Sequence, residues 1–391
     1  MRTDVVVIGG GVMGSALAYW LTHLDPTASV TVIERDPSYA SASSALSAAS
    51  IRQQFSTAVN VRISQHSIEL LRGAHEWLAV EGESPDLRLN EGGYLYLAGQ
   101  GGLAALEAAH AVQRELGADV VLLTRPELRQ RFPWLSVDDL AAGSLGLSGE
   151  GWFDGYALLT GLARKARHQG ARYVRGEVTG IDVANHRVTT LTLADGTRLT
   201  CGSVVNAAGA WAGRVAALAG IDLPVYPRRR TVFVISCPIA LASCPLLIDR
   251  TGFWMRPDGP HFIAGAAPRA GEESGDFAPL EPELELFESD LWPALAARIP
   301  AFEAARVERA WAGYYEYNTF DQNGILGLHP SLDNFVLMNG FSGHGFQQAP
   351  VVGRAIAELL LTGRYVTLDL SDLGIGRLLD ARPLRELNII G

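Results

Sequence analysis

The residues best suited to chemistry stand near the two ends of the chain. Gly9-x-Gly11-x-x-Gly14 follows an apolar run over 5–8 and precedes 15–21, which has the small-residue spacing of a closely packed helix. A strand, a glycine turn and a helix N-terminus in that order make a pyrophosphate site. Gly9 permits the tight turn, Gly11 lets the backbone approach the phosphates, and Gly14 lets the helix lie close to the sheet. A second apolar run over 29–33 ends at Glu34, twenty positions beyond Gly14. A carboxylate there accepts hydrogen bonds from a ribose 2′-hydroxyl and repels a 2′-phosphate, which disfavours NADP. The pattern predicts a bound dinucleotide and by itself suits NAD as well as FAD. Far along the chain, Gly340-Phe-Ser-Gly-His-Gly-Phe346 sets Ser342 and His344 among three glycines, after an apolar run over 334–338.

Ordered elements must carry these groups. Residues 37–49 are nearly all Ser and Ala, small enough to lie flat against a ligand. The pattern then predicts helices over 57–80, 102–116, 126–133 and 156–169, with a strand over 92–97 and a glycine-rich stretch at 143–151. Several short strands follow between 171 and 209, the last ending in Asn206-Ala-Ala-Gly209 before Trp211. From 225 to 320 the composition is that of antiparallel strands, over 230–236, 253–256, 261–267 and 306–317. Asp258-Gly259 forms a hairpin turn among them. A polar helix over 281–298 is expected between them, kinked or split at Pro293. The end of the chain returns to α/β, with a helix over 349–361 that stops at Gly363. No internal repeat and no second GxGxxG is present. One nucleotide site means either an NAD that exchanges or an FAD held tightly.

The whole chain sets bounds. Its 391 residues allow two to three domains, and 48% hydrophobic with 19% charged residues is a globular composition. A net charge of −10, with Arg228-Arg-Arg230 as the one basic cluster, argues against nucleic acid. Three cysteines without a CxxC argue against a disulfide framework and a structural metal site, and favour a reducing compartment. No signal segment and no stretch of ~18 apolar residues is found. A soluble cytoplasmic protein without a membrane span is expected.

Three separated pieces, Gly9–Glu34, Asn206-Ala-Ala-Gly-Ala-Trp211 and Gly340–Phe346 with its helix, resemble the D-amino-acid oxidase superfamily of FAD-dependent oxidoreductases. The resemblance is nearest to its sarcosine oxidase, glycine oxidase and dimethylglycine dehydrogenase branch. The run from Tyr315 to Gln322 and Gln347-Gln-Ala-Pro350 are similar to the FAD-dependent oxidoreductase domain proteins of that branch. Some relatives of that type serve in respiratory-complex assembly. The resemblance implies an α/β fold, with a Rossmann-like FAD-binding domain of the GR2 type over 1–85, 150–224 and 323–391. A second, mainly antiparallel β domain over 86–149 and 225–322 would bind substrate.

The resemblance also implies roles. FAD contacts fall on Gly9, Gly11, Val12, Met13, Gly14, Glu34 and Arg35, and on Ser43, Ser44, Ser47 and Ala48. Further contacts fall on Val178, Ala207, Ala208, Gly209 and Trp211, and on Gly340, Gly343, His344, Gly345, Phe346 and Gln347. The N–H groups and positive helix end near 340–346 would face flavin N1 and the C2 carbonyl. Arg52 would grip a substrate carboxylate as a bidentate fork. His344, Tyr315 and Gln347 complete the catalytic set, with Tyr317, Arg230 and Arg256 as further candidates. Departures from the branch matter as much. The flavin-linking cysteine has no counterpart among Gly313, Tyr314 and Tyr315, and Ser47 stands where a linking histidine occurs, so FAD is expected to be noncovalent. The lysine that assists oxygen falls near Ile263, and the lysine that grips the carboxylate is Gln347.

The implied activity is oxidation of the C–N bond of a secondary, N-methylated or D-amino acid by hydride transfer to flavin N5. The imine product would then hydrolyse. Oxygen, a quinone or an electron-transfer protein would accept the electrons, and an oligomer or hetero-complex is compatible. A flavin-binding assembly or scaffold protein is the alternative. An NAD-dependent dehydrogenase is opposed by the histidine loop and by 206–211.

Overall fold

The structure, a computed structural model, describes residues 2–267 and 276–387. Val5, Val6, Val7 and Ile8 are all buried, because the strand Arg2–Ile8 lies inside a sheet covered on both faces. Four parallel neighbours define that sheet: Phe335–Asn339, Arg198–Asn206, Arg2–Ile8 and Val30–Glu34, with Arg172–Arg175 parallel beyond them. Ile325–Leu328 adds an antiparallel edge that the sequence pattern does not mark. On one face, Val5, Val7, Val30 and Val32 pack under the helices Val12–Leu24, Gly155–His168, Ala58–Arg72 and Gly345–Thr362. On the other, Val6, Ile8 and Ile33 meet the antiparallel strands Val178–Ala184 and Arg187–Leu193 and the helix Ala212–Leu218.

A second sheet has eight strands, in the order Arg306–Asn318, Val225–Ser236, His261–Ala266, Phe253–Asp258, Leu246–Ile248, Tyr94–Ala98, Ala142–Gly146 and Val120–Thr124. All neighbours are antiparallel except Leu246–Ile248 with Tyr94–Ala98. That parallel joint is where the two sequence-distant pieces meet. Every strand of the first sheet falls in 1–85, 150–224 or 323–391, and every strand of the second in 86–149 or 225–322. One face of the second sheet packs Phe233, Met255 and Phe262 against Leu291, Leu295 and Phe302. The other turns Val232, Val234 and Ile263 towards Ala48, in the serine-alanine segment that leads from the first sheet.

Three helical expectations need correction. The helix expected over 57–80 ends at Arg72 and is followed, past Gly73, by the short helix Ala74–Trp77. The helix expected over 281–298 has no helical structure over 281–283; a π-helical stretch, Phe287–Leu291, leads into Trp292–Arg298. Pro293 therefore falls where the π-helical stretch passes into the α-helix, so the disruption expected at proline takes the form of a change of helix type. The last long helix begins at Gly345 rather than 349, with Pro350 inside it. Proline there removes one bond to Phe346 and is held by packing. Gly353 lies so close to Ala16 that a Cβ would come within 2.8 Å of it, and Trp20 Nε1 donates to the Pro350 carbonyl at 2.8 Å. Among the described residues no helix is long and apolar enough to cross a membrane.

Candidate cofactor and substrate site

One elongated cavity runs between the two sheets, from the Gly9–Gly14 turn to the N-terminus of the helix Gly345–Thr362. At its first end, Gly9 has φ 102°, and a Cβ there would lie 2.4 Å from the Ala207 carbonyl oxygen. A Cβ on Gly14 would lie 1.9 Å from the Gly9 carbonyl oxygen. Only glycine permits this strand, turn and helix to close so tightly. Gly11, Val12 and Met13 line the cavity, and no side chain caps the helix Val12–Leu24 at Gly11. The serine-alanine segment lies against this turn, where Ser44 Oγ accepts from Val12 N at 3.0 Å. Glu34 holds the turn from the next strand: Oε2 accepts from Gly10 N at 2.8 Å and Oε1 from Asp36 N at 2.7 Å. Arg35 stacks its guanidinium 4.1 Å over the Trp211 ring.

The far end is built by a tight loop. Ser342 (φ 51°) and Gly343 (φ 96°) turn the chain, and Ser342 Oγ accepts from Asn318 N at 2.9 Å. The turn delivers His344 as the N-cap of an 18-residue helix, with no side-chain cap. The N–H groups of the first turn, and the positive end of the helix dipole, therefore face the cavity through Gly345, Phe346 and Gln347. A Cβ on Gly343 would meet the Tyr315 ring at 2.5 Å, so that glycine lets the tyrosine stand over the loop.

Arg52 is 5% exposed, and its Nη2 lies 3.0 Å from His344 Nε2. A guanidinium only donates, so Nε2 accepts and the imidazole carries its proton on Nδ1. Burial, reinforced by Arg52, holds the His344 pKa well below its ordinary 6.5, and the ring is neutral. Among the described residues, Arg52 Nε has no hydrogen-bond partner. Its guanidinium also lies 4.3 Å from the Phe55 ring centre. Arg52 lines the cavity, so a buried cation beside a neutral histidine faces the space where an anion can be held. Gln347 Oε1 accepts from Arg52 N at 2.8 Å, so this side chain supports the arginine main chain. Tyr315 and Arg230 line the same end, 5.2 Å from ring centre to guanidinium carbon.

All the site residues named from the sequence line this cavity except four. Gly14 serves helix packing alone. Gly340 points away: a Cβ there would meet Val225 and Asn318, and its N–H donates to Glu316 Oε2 at 3.2 Å. Arg256 is committed to Asp258 (2.9 Å) and to the Ala48 carbonyl (3.1 Å), which makes it a structural ion pair. Tyr317 shares a strand face with Tyr315 and lies 5.7 Å from the Arg228 guanidinium, outside the cavity lining. Ile263, where a lysine stands in part of the branch, is buried against Val232 and Val234.

Sequence reading overlooks two acidic residues. Glu316 lines the cavity between Tyr315 and Tyr317 in its strand, with Oε1 directed at Gly345. Burial raises its pKa to about 8, against the pull of the Gly340 and Phe341 N–H groups. Glu150 lies behind Arg52 and is raised to about 7, again by burial foremost. The available signal was an acid flanked by aromatics in a strand, and an acid flanked by glycines.

The geometry fits FAD. An extended trough carries a phosphate-type turn at one end and open helix N–H groups at the other, some 330 residues apart in sequence. Comparisons with known proteins agree. "FAD-dependent oxidoreductase domain-containing protein 1" of Xenopus laevis is 42% identical, over 100% of this chain and 85% of that protein. Glycine oxidase of Geobacillus kaustophilus is 27% identical, over 92% of this chain and 93% of that one. The crystal structure of L-proline dehydrogenase from P. horikoshii superposes with a TM-score of 0.85 at 28% identity, covering 98% of this chain and 99% of that one. A profile of the family described as "FAD dependent oxidoreductase" (DAO) matches residues 4–359, and the chain belongs to that family of FAD-dependent oxidoreductases.

Proposed function

We propose that this oxidoreductase oxidises the C–N bond of a small amino acid with a secondary, N-methylated or D-configured amine. The observation that carries the reading is Arg52: a buried guanidinium that lines the cofactor end of the cavity beside a neutral His344. FAD, bound noncovalently, supplies the two-electron acceptor that takes a hydride from the carbon bonded to nitrogen. Gly9–Met13 and Glu34 hold its adenosine and pyrophosphate half. The first-turn N–H groups at Gly345–Gln347 hold the ring end and favour negative charge there. Arg52 grips the substrate carboxylate, and Tyr315 and Arg230 wall the pocket on the side of the second sheet. Orientation over the ring is the protein's main contribution, and an amine that enters neutral needs no strong base. The imine leaves and hydrolyses. The division into an FAD domain (1–85, 150–224, 323–391) and a substrate domain (86–149, 225–322) belongs to this proposal, supported by how the strands segregate. A reducing compartment such as the cytoplasm is supported by the free state of Cys201, Cys237 and Cys244.

Anaerobic titration of the purified yellow protein with sarcosine, dimethylglycine, proline and D-amino acids tests the reading. Bleaching of the flavin band by one of them is expected. A flavin that none of these amines reduces would favour the assembly or scaffold role instead, and the rate of reoxidation in air separates oxidase from dehydrogenase.

A further inference from the structure

Three consecutive peptide N–H groups, those of Arg52, Gln53 and Gln54, follow the short strand Ser50–Ile51 in a segment without regular structure. Side chains satisfy all three. Arg52 N donates to Gln347 Oε1 at 2.8 Å. Gln53 N and Gln54 N both donate to Glu150 Oε1, at 2.5 and 3.0 Å, and Gln54 Nε2 donates to Glu150 Oε2 at 2.8 Å. Glu150 is 1% exposed. The glycines beside it leave its carboxylate room. A Cβ on Gly146 would lie 1.8 Å from Glu150 Oε2, and one on Gly149 would lie 2.1 Å from Gln53 Nε2. The glycine-rich stretch thus acquires a purpose that the cofactor site does not give it.

We infer that Glu150 is a positioning residue: with Gln347 it clamps the main chain that carries Arg52, and so fixes where the guanidinium meets the substrate carboxylate. Two side-chain supports replace the sheet bonds this segment lacks. A buried carboxyl that accepts from three donors is costly to dislodge and cannot be replaced by water without reshaping the segment. The inference rests on Arg52 gripping the carboxylate.

A second consequence is a pH dependence of ligand affinity. Glu150 gains charge as pH rises through about 7, and its anion offsets part of the Arg52 field. The charged and titratable groups around it are Arg52, Tyr94 and Tyr96, the Glu91–Arg72 pair behind Gly149, and His344 beyond Arg52; Glu316, in the lining of the same cavity and raised to about 8, titrates in the same window. The difference between wild type and E150Q removes what these neighbours contribute.

The test uses the FAD-loaded protein and reads the flavin absorption change on binding pyrrole-2-carboxylate, with uncharged pyrrole as control. R52K should weaken the carboxylate and leave pyrrole unchanged; an R52K protein with unaltered carboxylate affinity overturns the Arg52 reading itself. E150A should weaken the carboxylate about tenfold or more and spare pyrrole. E150Q should stay within about threefold at pH 6, because one amide oxygen can still accept both N–H groups. Between pH 6 and 8.5 wild-type affinity should fall by about threefold to tenfold, and E150Q should show a smaller fall, keeping only the part that Glu316 contributes. An R52K effect without an E150A effect overturns the role of Glu150. Should E150A fail to retain flavin, parallel pH profiles for wild type and E150Q overturn it instead.

Discussion

Replacing Glu316 with glutamine should stabilise the protein, and by an amount that grows with pH. The carboxyl has an ordinary pKa of 4.5 and is raised to about 8 in the fold, chiefly by burial. Between those values the unfolded chain is ionised while the native state keeps its proton. Native stability is therefore greatest below pH 4.5 and declines as pH rises towards 8, by at most ~1.4 kcal/mol per pH unit. From pH 5 to 8 the upper bound is ~4 kcal/mol. Glu316 is half-buried, not fully enclosed, so roughly half of that, ~2 kcal/mol, is the working value. The amide oxygen of the substituted side chain can accept from the Gly340 and Phe341 N–H groups without carrying a titrating proton. Thermal unfolding followed by tryptophan fluorescence, at saturating FAD and pH 5, 6, 7 and 8, should show a melting-temperature gap that widens by about 2–6 °C in favour of E316Q. Parallel curves for the two proteins would refute the claim that Glu316 is held protonated beside the helix N-terminus.

Two further substitutions probe the ends of the cavity. Gly343→Ala places a side chain at φ 96° and 2.5 Å from the Tyr315 ring, which should cost ~1–3 kcal/mol in urea unfolding. It should also weaken carboxylate binding more than FAD binding; equal losses of both would mean that Tyr315 does not wall the substrate pocket. Glu34→Gln can accept only one of the Gly10 and Asp36 N–H groups, which should loosen the glycine turn. The FAD dissociation constant, read from quenching of flavin fluorescence by the apoprotein, should rise about tenfold for the ~1.4 kcal/mol lost with one buried bond. An unchanged constant would remove Glu34 from the cofactor site.

What the sequence makes legible is what the chain makes locally. Gly9, Gly11 and Gly14 act within six residues of one another, and their spacing alone dictates the turn that the structure contains. Glu34 is legible as an acid at the end of the next strand, but its two bonds to Gly10 and Asp36 are not. The pattern misplaces the start of the last helix because Pro350 suits a first helical position; packing against Ala16 and Trp20 carries the helix back to Gly345 instead. That shift has a chemical result, since it brings the open N–H groups of Gly345, Phe346 and Gln347 to the cavity. Leu246–Ile248 escapes notice because three residues carry too little pattern, and its parallel partner Tyr94–Ala98 lies about 150 residues away. The same distance argument governs Arg52. Its residue type and place suggest a carboxylate fork, yet the groups that aim it, Glu150 and Gln347, lie 98 and 295 residues further on. An arginine on an irregular segment has no fixed direction of its own. Its direction comes from two side chains that only the closed fold brings to it, and ligand binding in Glu150 and Gln347 variants should therefore vary more than ligand binding in variants of its sequence neighbours Ser56 and Thr57.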